Sequence, residues 1–330
     1  MSITNRFIIL ATDPIEEKRA FTLESNNTEG NSRKINNDIL DALKTLSPNI
    51  LHIDNLEHFT RSIVELQAPI VLPAFYGAAS FNSKALIPAI CEANGIDYAG
   101  ADAYTQALCN DKYVSRLYGR EMGLSVSSAL LVRNKGDLEL SRFSRLDYPV
   151  VVKPNQGGGS NGIDGSNICQ NEKEAMREAE VLILSQKVPV LIESYMPGYE
   201  VQVVIARLAD GTLIVEQIGI TIDGTEFHTD TLFDLKMKKL HSANVQFDCV
   251  NLISKSDLDI MVDIFNSFPK VDYMRIDCRV SKTGKARLIE FSPDCSMSKK
   301  SGLFWAFSSR GYSYEEMFAQ LLKGSIASLR

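Results

Sequence analysis

Hydrophobic residues in the first hundred positions fall into short continuous runs separated by helically spaced ones. Phe7 to Ala11, Ile50 to Ile53 and Pro69 to Pro73 are the runs, and they read as buried strands. Between them, Asn36 to Thr45 places Ile39, Leu40 and Leu43 at helical spacing, and Glu57 to Leu66 does the same. Ser83 to Asn94 predicts another helix ended by Gly95, after which Asp97 to Gly100 returns to the sheet. Strands alternating with helices imply a small, mostly parallel α/β unit over residues 1–100. A stretch rich in Ser, Asn and Gly, Glu24 to Ser32, reads as a loop.

The pattern then changes. Asp102 to Gly123 is helical, Ala129 to Val132 is a strand, and Tyr148 to Lys153 is an apolar β-branched run. A helix is expected at Glu172 to Ser185, so residues 101–188 form a second, α+β unit. From about Val188 a third unit begins, residues 189–330, with Pro189 to Glu193 as its first strand. Glu200 to Leu208 and Leu213 to Ile220 make a hairpin turning at Asp210-Gly211. Gly224 to Ala243 lacks periodicity and reads as a loop. Ser256 to Phe268 is helical, Tyr273 to Val280 and Ala286 to Phe291 form another hairpin, and Tyr314 to Ala327 is a closing helix.

Composition narrows the function classes. The chain has 330 residues, 45% hydrophobic and 23% charged, as expected of a globular protein with several cores. A net charge of −6 argues against nucleic acid or an anionic membrane as partner. No apolar run reaches the ~20 residues that span a bilayer. Six cysteines without a C-x-x-C pair read as buried thiols of a cytoplasmic protein. The four histidines show no metal-ligand spacing, and His52 and His58 read as surface or packing residues.

The richest chemistry sits at Tyr148 to Ile163, YPVVVKPNQGGGSNGI. A buried strand ends in Lys153, and four Gly follow within the six residues Gly157 to Gly162. Glycine lets backbone N–H groups approach an anion, and the lysine adds a fixed positive charge. Gly157, Gly159 and Gly162 satisfy G-x-G-x-x-G, but a dinucleotide turn needs a helix directly afterwards. Ile163 to Cys169 is too rich in Gly, Ser and Asn for that, which disfavours a nicotinamide dehydrogenase. No lysine follows the glycines as a P-loop requires. A glycine flap between two antiparallel strands, closing over phosphates, remains beside an ordinary Gly-rich hairpin.

Asp277 and Glu290 lie on neighbouring strands of one hairpin and can stand opposite each other on one face. Two adjacent carboxylates repel unless a cation lies between them, and oxygen ligands of this kind suit Mg²⁺ with substrate phosphates. Arg275, two residues earlier, shares that face and could stabilise charge developing in a transition state. A surface ion pair of Arg275 with Glu290 is the plainer alternative. Glu193 and Glu200 bracket Ser194 to Tyr199, a linker able to hold a base and its ribose, or simply a solvated loop. Lys112 opens a helix and offers a second phosphate-facing charge, or a solvated helix end.

The order N-D-K, strand ending K-P with a glycine loop, E-x-Y-x-x-G-x-E, then R-I-D…E resembles the ATP-grasp superfamily, and within it the D-alanine–D-alanine ligase group. The resemblance covers nearly the whole chain, including Ser313 to Phe318 in the last helix. It implies an N-terminal parallel α/β domain and two α+β subdomains enclosing ATP. It implies an ATP-dependent carboxylate–amine ligase that makes an amide through an acyl phosphate. Lys112 and Lys153 would bind phosphates under a flap of Gly157, Gly158, Gly159 and Ser160. Glu193 would take the adenine amino group, Ser194 and Met196 would add backbone contacts, and Glu200 would hold the ribose. Asp277, Glu290 and Ser292 would hold two Mg²⁺ ions, with Mn²⁺ as a substitute. Arg275, Ser160 and Lys236 would be catalytic, Lys236 or Lys238 being the loop lysine. The partners implied are small carboxylate and amine substrates and a second copy of the chain, in a homodimer through the N-terminal domain.

Departures from the family pattern concentrate where amino acids bind. Ser292 replaces the Asn of E-x-N, with Asp294 or a water as substitute ligand, and Gly159 replaces the first loop serine. Ala11 to Glu17 stands where the family has G-G-x-S-x-E, and Phe75-Tyr76-Gly77 where it has L-H-G. Lys299, Lys300, Phe304 and Trp305 are distinctive in the acceptor segment, and the two lysines suggest an acidic second substrate. The expectation is kept chemistry with changed substrates, in specialised metabolite or dipeptide biosynthesis. The alternatives are a D-alanine–D-alanine ligase proper and an ATP-binding homologue without ligase activity.

Overall fold

The computed structural model describes residues 3–13, 31–74, 83–157, 167–229 and 245–328. The N-terminal elements are β1 (Ile8–Thr12), α1 (Arg33–Lys44), β2 (Ile50–Ile53), α2 (Leu56–Glu65), β3 (Ile70–Ala74), α3 (Leu86–Ala93) and β4 (Asp97–Tyr98). Their strands form a parallel sheet in the order β2-β1-β3-β4. The first strand is buried along its whole length, which is why its sequence is a continuous apolar run. Helix α1 starts three residues before the expected Asn36 because the Ser32 hydroxyl caps the Ile35 N–H at 3.3 Å. The expected helix from Ser83 divides instead into a 3₁₀ turn, Ser83–Ala85, and α3, whose first turn accommodates Pro88.

The next stretch contains α4 (Ala103–Asn110), α5 (Lys112–Glu121), β5 (Ala129–Val132), α6 (Leu140–Phe143), β6 (Val150–Pro154), β7 (Ile168–Cys169), α7 (Glu172–Gln186) and β8 (Val190–Ser194). Asp102 to Gly123 is therefore two helices. The break is Asp111, extended at φ −88° and ψ 98°, whose carboxylate caps the Val114 N–H at 2.9 Å. The antiparallel pairing of β6 with β7 puts the glycine stretch between two strands. Strand β8, expected to open the last unit, hydrogen-bonds in the order β5-β8-β6-β7. Its apolar run fits either sheet, and only the pairing with Val150–Pro154 assigns it.

The largest sheet holds β9 (Gly198–Arg207), β10 (Leu213–Ile222), β11 (Phe227–His228), β12 (Val245–Cys249), β13 (Tyr273–Val280) and β14 (Ala286–Ser292). Its order is β12-β10-β9-β13-β14, with β11 added to β9. The short β11, inside the stretch expected to be a loop, and the edge strand β12, whose Val245, Phe247 and Cys249 alternate with Gln246 and Asp248, were not foreseen. Helix α8 (Lys255–Ser267) covers one face of this sheet; α9 (Gly302–Ser308) and α10 (Tyr314–Ser328) cover the other. The second of these cores also contains Ile8, Leu10, Ile70 and Leu72, so the parallel sheet and the C-terminal helices share one apolar interior.

A buried polar joint reinforces that shared core. Asp272 is fully buried and accepts from the Gly100 N–H (2.8 Å), the Ser325 hydroxyl (2.6 Å) and the Lys270 ammonium (2.7 Å). A buried charge is tolerated when it is paired and hydrogen-bonded, as here. Among the described residues the six cysteines are free thiols; five are buried as expected, and Cys249 on the edge strand is exposed. No described helix is long and apolar enough to cross a membrane.

Candidate active site

The corner before α5 and the end of β6 are stitched together by Asn155, which is fully buried. Its side-chain oxygen accepts from the Tyr113 N–H at 2.8 Å, and its amide donates to Asp111 at 2.9 Å. The Lys112 N–H donates to the Asn155 carbonyl at 3.0 Å, and Asn110 accepts from the Gly157 N–H at 3.1 Å. This fixes Lys112 at the first helical position beside the glycine stretch. Its ammonium donates to the Gly157 carbonyl and lies 3.9 Å from Glu290. Gly157 has φ +84°, a conformation that side chains disfavour. Asn155 was not singled out from the sequence; its signal is its place directly after Lys153-Pro154.

Lys153 and Glu193 come from paired strands, with Val151 opposite Glu193, so the two side chains sit diagonally on one face. The Lys153 ammonium lies 2.5 Å from Glu193 Oε1, and Arg116 Nη1 lies 3.7 Å from Oε2. All three residues are buried. Ser194 is committed elsewhere. Its N–H donates to the Ser128 carbonyl at 2.9 Å, and its hydroxyl bonds Ser128 Oγ at 2.7 Å. A nucleotide contact through the Ser194 N–H is thereby closed, while Met196 makes no backbone hydrogen bond among the described residues. Gly198 is required where it stands, because a Cβ there would meet the Val280 carbonyl oxygen at 2.7 Å. Glu200 faces Arg279 directly across β9 and β13, and they pair at 2.9 Å.

On the hairpin, Asp277 stands opposite Glu290, as expected, across a one-residue register shift between Asp277 and Cys278, and Arg275 stands opposite Ser292. Arg275 grips Asp277 through two bonds, 2.6 and 2.8 Å, and its guanidinium is 3.9 Å from Glu290. The strand-neighbour pair thus joins Arg275 to Asp277 more closely than to Glu290. Burial alone would pull the Arg275 guanidinium down, but the touching Asp277 outweighs it and keeps the group firmly charged. The Ser292 hydroxyl accepts from Arg275 at 3.4 Å. Burial pushes the nearby thiols of Cys278 and Cys295 up, Cys295 to about 12, so neither supplies a thiolate nucleophile.

Among the described residues no three His, Cys, Asp or Glu cluster as a metal cage. A Mg²⁺ ion held with nucleotide phosphates needs only one or two carboxylates, and opposed Asp277 and Glu290 supply hard oxygens of that kind. Asp294, considered as a substitute ligand, is instead paired with Lys84 at 2.8 Å. Lys299 lies 3.7 Å from Asp38 of α1 and over the Tyr314 ring, facing the helices rather than the cleft, and Lys300 is exposed. His52 bonds the Thr12 hydroxyl at 2.9 Å, a packing role as expected. Gly158, Gly159, Ser160, Lys236, Lys238 and the Phe75-Tyr76-Gly77 segment lie outside the described residues.

The whole chain superposes on the D-alanine–D-alanine ligase of Bacillus anthracis complexed with ATP, with a TM-score of 0.74. That likeness covers 98% of each chain at 18% identity. Fold and family together mark an ATP-grasp enzyme, an ATP-dependent ligase that forms carbon–nitrogen bonds, in a family that implies a divalent metal. Residues 120–323 match the model of the family described as D-ala D-ala ligase C-terminus, and the chain belongs to that family. It is similar to the D-alanine–D-alanine ligase of Haemophilus ducreyi, 24% identical over 87% of this chain and 91% of that one. Over a shorter stretch, 37% of this chain and 39% of the relative, it is 30% identical to the Clostridium botulinum D-alanine–D-alanine ligase.

Proposed function

We propose that this chain joins a small carboxylate to an amine, using ATP to make an acyl phosphate first, and that its substrates differ from a pair of D-alanines. The observation that carries this is a contrast between two sets of residues. Lys112, Lys153, Asp277 and Glu290 are set in place by paired strands and a capped helix. The segments the family uses to recognise D-alanine have other residues, Ala11 to Glu17 and Phe75 to Gly77.

In this reading Lys112 and Lys153 bind phosphates, with Gly157, Gly158, Gly159 and Ser160 closing over them. Lys153 is drawn off Glu193 by the nucleotide, freeing Glu193 for the adenine amino group. Met196 offers its backbone to the base, and Glu200, held by Arg279, takes the ribose hydroxyls. Asp277 and Glu290, with Ser292 or a water, would hold Mg²⁺ in two positions, Mn²⁺ substituting; the metal supplies neutralisation of phosphate charge. Arg275 stays charged and faces the centre where oxyanion charge develops during amine attack. Ser160 and Lys236 would complete the closed site. The same proposal places the enzyme in the cytoplasm, as a homodimer through its N-terminal sheet, making a dipeptide or a specialised metabolite.

The test is ADP and phosphate release with Mg²⁺ and ATP across L- and D-amino acids, singly and in pairs, with product masses recorded. Release with a particular pair, and a product lighter than their sum by one water, supports the proposal and names the substrates. Release with two D-alanines alone returns the chain to D-alanine–D-alanine ligase proper. Ser292 favours one further reading, a nucleotide-binding homologue without turnover; tight ATP binding without release for any pair would support it.

A further inference from the structure

Helix α5 carries Lys112 and Arg116 one turn apart, on one face. Lys112 reaches the glycine stretch and Glu290, while Arg116 reaches Glu193 at the other end of the cleft. Arg116 is 3% exposed. Its Nη2 donates to the Ser127 carbonyl, which pins one arm of the fork. Its Nη1 is buried and has no hydrogen-bond partner among the described residues. A buried donor without an acceptor is costly, and such groups survive where a function retains them.

Glu193 shows the complementary imbalance. Oε1 is bonded by Lys153 at 2.5 Å, whereas Oε2 has Arg116 Nη1 at 3.7 Å, inside ion-pair range but beyond a hydrogen bond. In the nucleotide reading, on which this inference rests, Lys153 leaves Glu193 for a phosphate. Arg116 then remains as the cation anchoring that carboxylate. Its planar fork, fixed at Ser127, can hold a carboxylate in one orientation, which a flexible ammonium cannot.

We propose that Arg116 is a positioning residue for purine discrimination: it anchors Glu193 Oε2 so that the carboxylate accepts from a 6-amino group and repels a 6-oxo group. An ionised carboxylate is acceptor-only, so adenine offers it a donor where guanine opposes it with a second acceptor. Without the anchor the carboxylate turns toward Lys153, and the base contact and the phosphate contact compete for the same lysine.

The experiment is equilibrium binding of Mg-ATP and Mg-GTP by calorimetry, which needs no knowledge of the amino-acid substrates. Arg116→Gln keeps an amide for the Ser127 carbonyl but removes the charge. It should lower the ATP:GTP affinity ratio about tenfold, the size expected of one charge-assisted contact. Arg116→Lys should recover part of the ratio. Lys153→Met, which leaves Arg116 untouched, should weaken both nucleotides together and keep the ratio within about twofold. A ratio unchanged in Arg116→Gln overturns the proposal, even if both affinities fall, because a merely structural arginine would act on both alike. If Arg116→Gln does not fold, Lys153→Met decides: loss of the ratio there makes Lys153 the anchor and removes Arg116 from the role. Failure of the wild type to bind ATP would instead overturn the nucleotide reading itself.

Discussion

The end of the site proposed for the nucleotide and the end proposed for the amino-acid substrates are built differently. At the end proposed for the nucleotide, Lys153–Glu193, Arg116–Glu193, Arg279–Glu200 and Arg275–Asp277 are charged pairs on strands and a capped helix. At the end proposed for the amino acids, Asp294 pairs with Lys84 and Lys299 with Asp38. Strands hold their residues in register, so chemistry placed on them persists while connections change. The segment after β14 proposed for the acceptor is a connection, in which Lys299 lies against Asp38 and Tyr314 while Lys300 is exposed.

The sharpest way to break this contrast is Glu290→Gln. It removes the charge opposite Asp277 while keeping the shape. ATP-dependent phosphate release should fall by at least about 10²-fold, as for other groups that stabilise transition-state charge. The melting temperature should stay within a few degrees, and retained turnover would remove Glu290 from the metal site. Asp294→Ala should have the opposite signature. Lys84 loses the Asp294 carboxylate in a mostly buried setting, at a cost of about 1–3 kcal/mol of stability. Chemical denaturation reads this directly, and ATP affinity should not change.

Ser292→Asn supplies the longer amide oxygen of the family's E-x-N. It should tighten Mg²⁺-dependent ATP binding about threefold to tenfold, by analogy with outer-ligand effects on metal sites. No change on metal titration would mean that Ser292 lies outside the metal's reach. A smaller effect is expected from His228, buried on β11 at the nucleotide end. Burial first, and Arg279 second, hold its pKa below the usual 6.5. The folded protein therefore binds this proton less readily than the unfolded chain. The resulting stability is complete above 6.5 and lost as pH falls below it. Melting temperatures between pH 7 and 5 should decline less steeply in His228→Gln than in the wild type. The smallest effect is predicted for Lys299→Ala with Lys300→Ala, which should leave the acceptor KM unchanged. A raised acceptor KM would return these lysines to the cleft.

Much of the nucleotide end was legible in the sequence because its signals are local. The two-residue period of a strand puts Arg275 and Asp277 on one face, whereas Glu290 stands opposite Asp277 only because the register shifts by one residue between Asp277 and Cys278. Lys153 at the end of an apolar run, followed by glycines, likewise announces a strand leading into an anion-binding loop. What escaped were residues whose roles depend on partners distant in sequence. Asn155 matters because it touches Asp111 and Tyr113, and Arg279 because β13 lies beside β9.

By itself, then, the sequence determined most of the strands and helices, including both strands of the carboxylate hairpin, from periodicity and turn residues within a few positions, while the order of its motifs along the chain carried the resemblance to the family. Only the tertiary structure decided which sheet Val190–Ser194 joins, that Arg116 meets Glu193, and that Asp294 is spent on Lys84. A charged side chain carries no mark of its partner. The pairing is set by how sheets and helices pack, through apolar contacts that do not specify which ions they bring together.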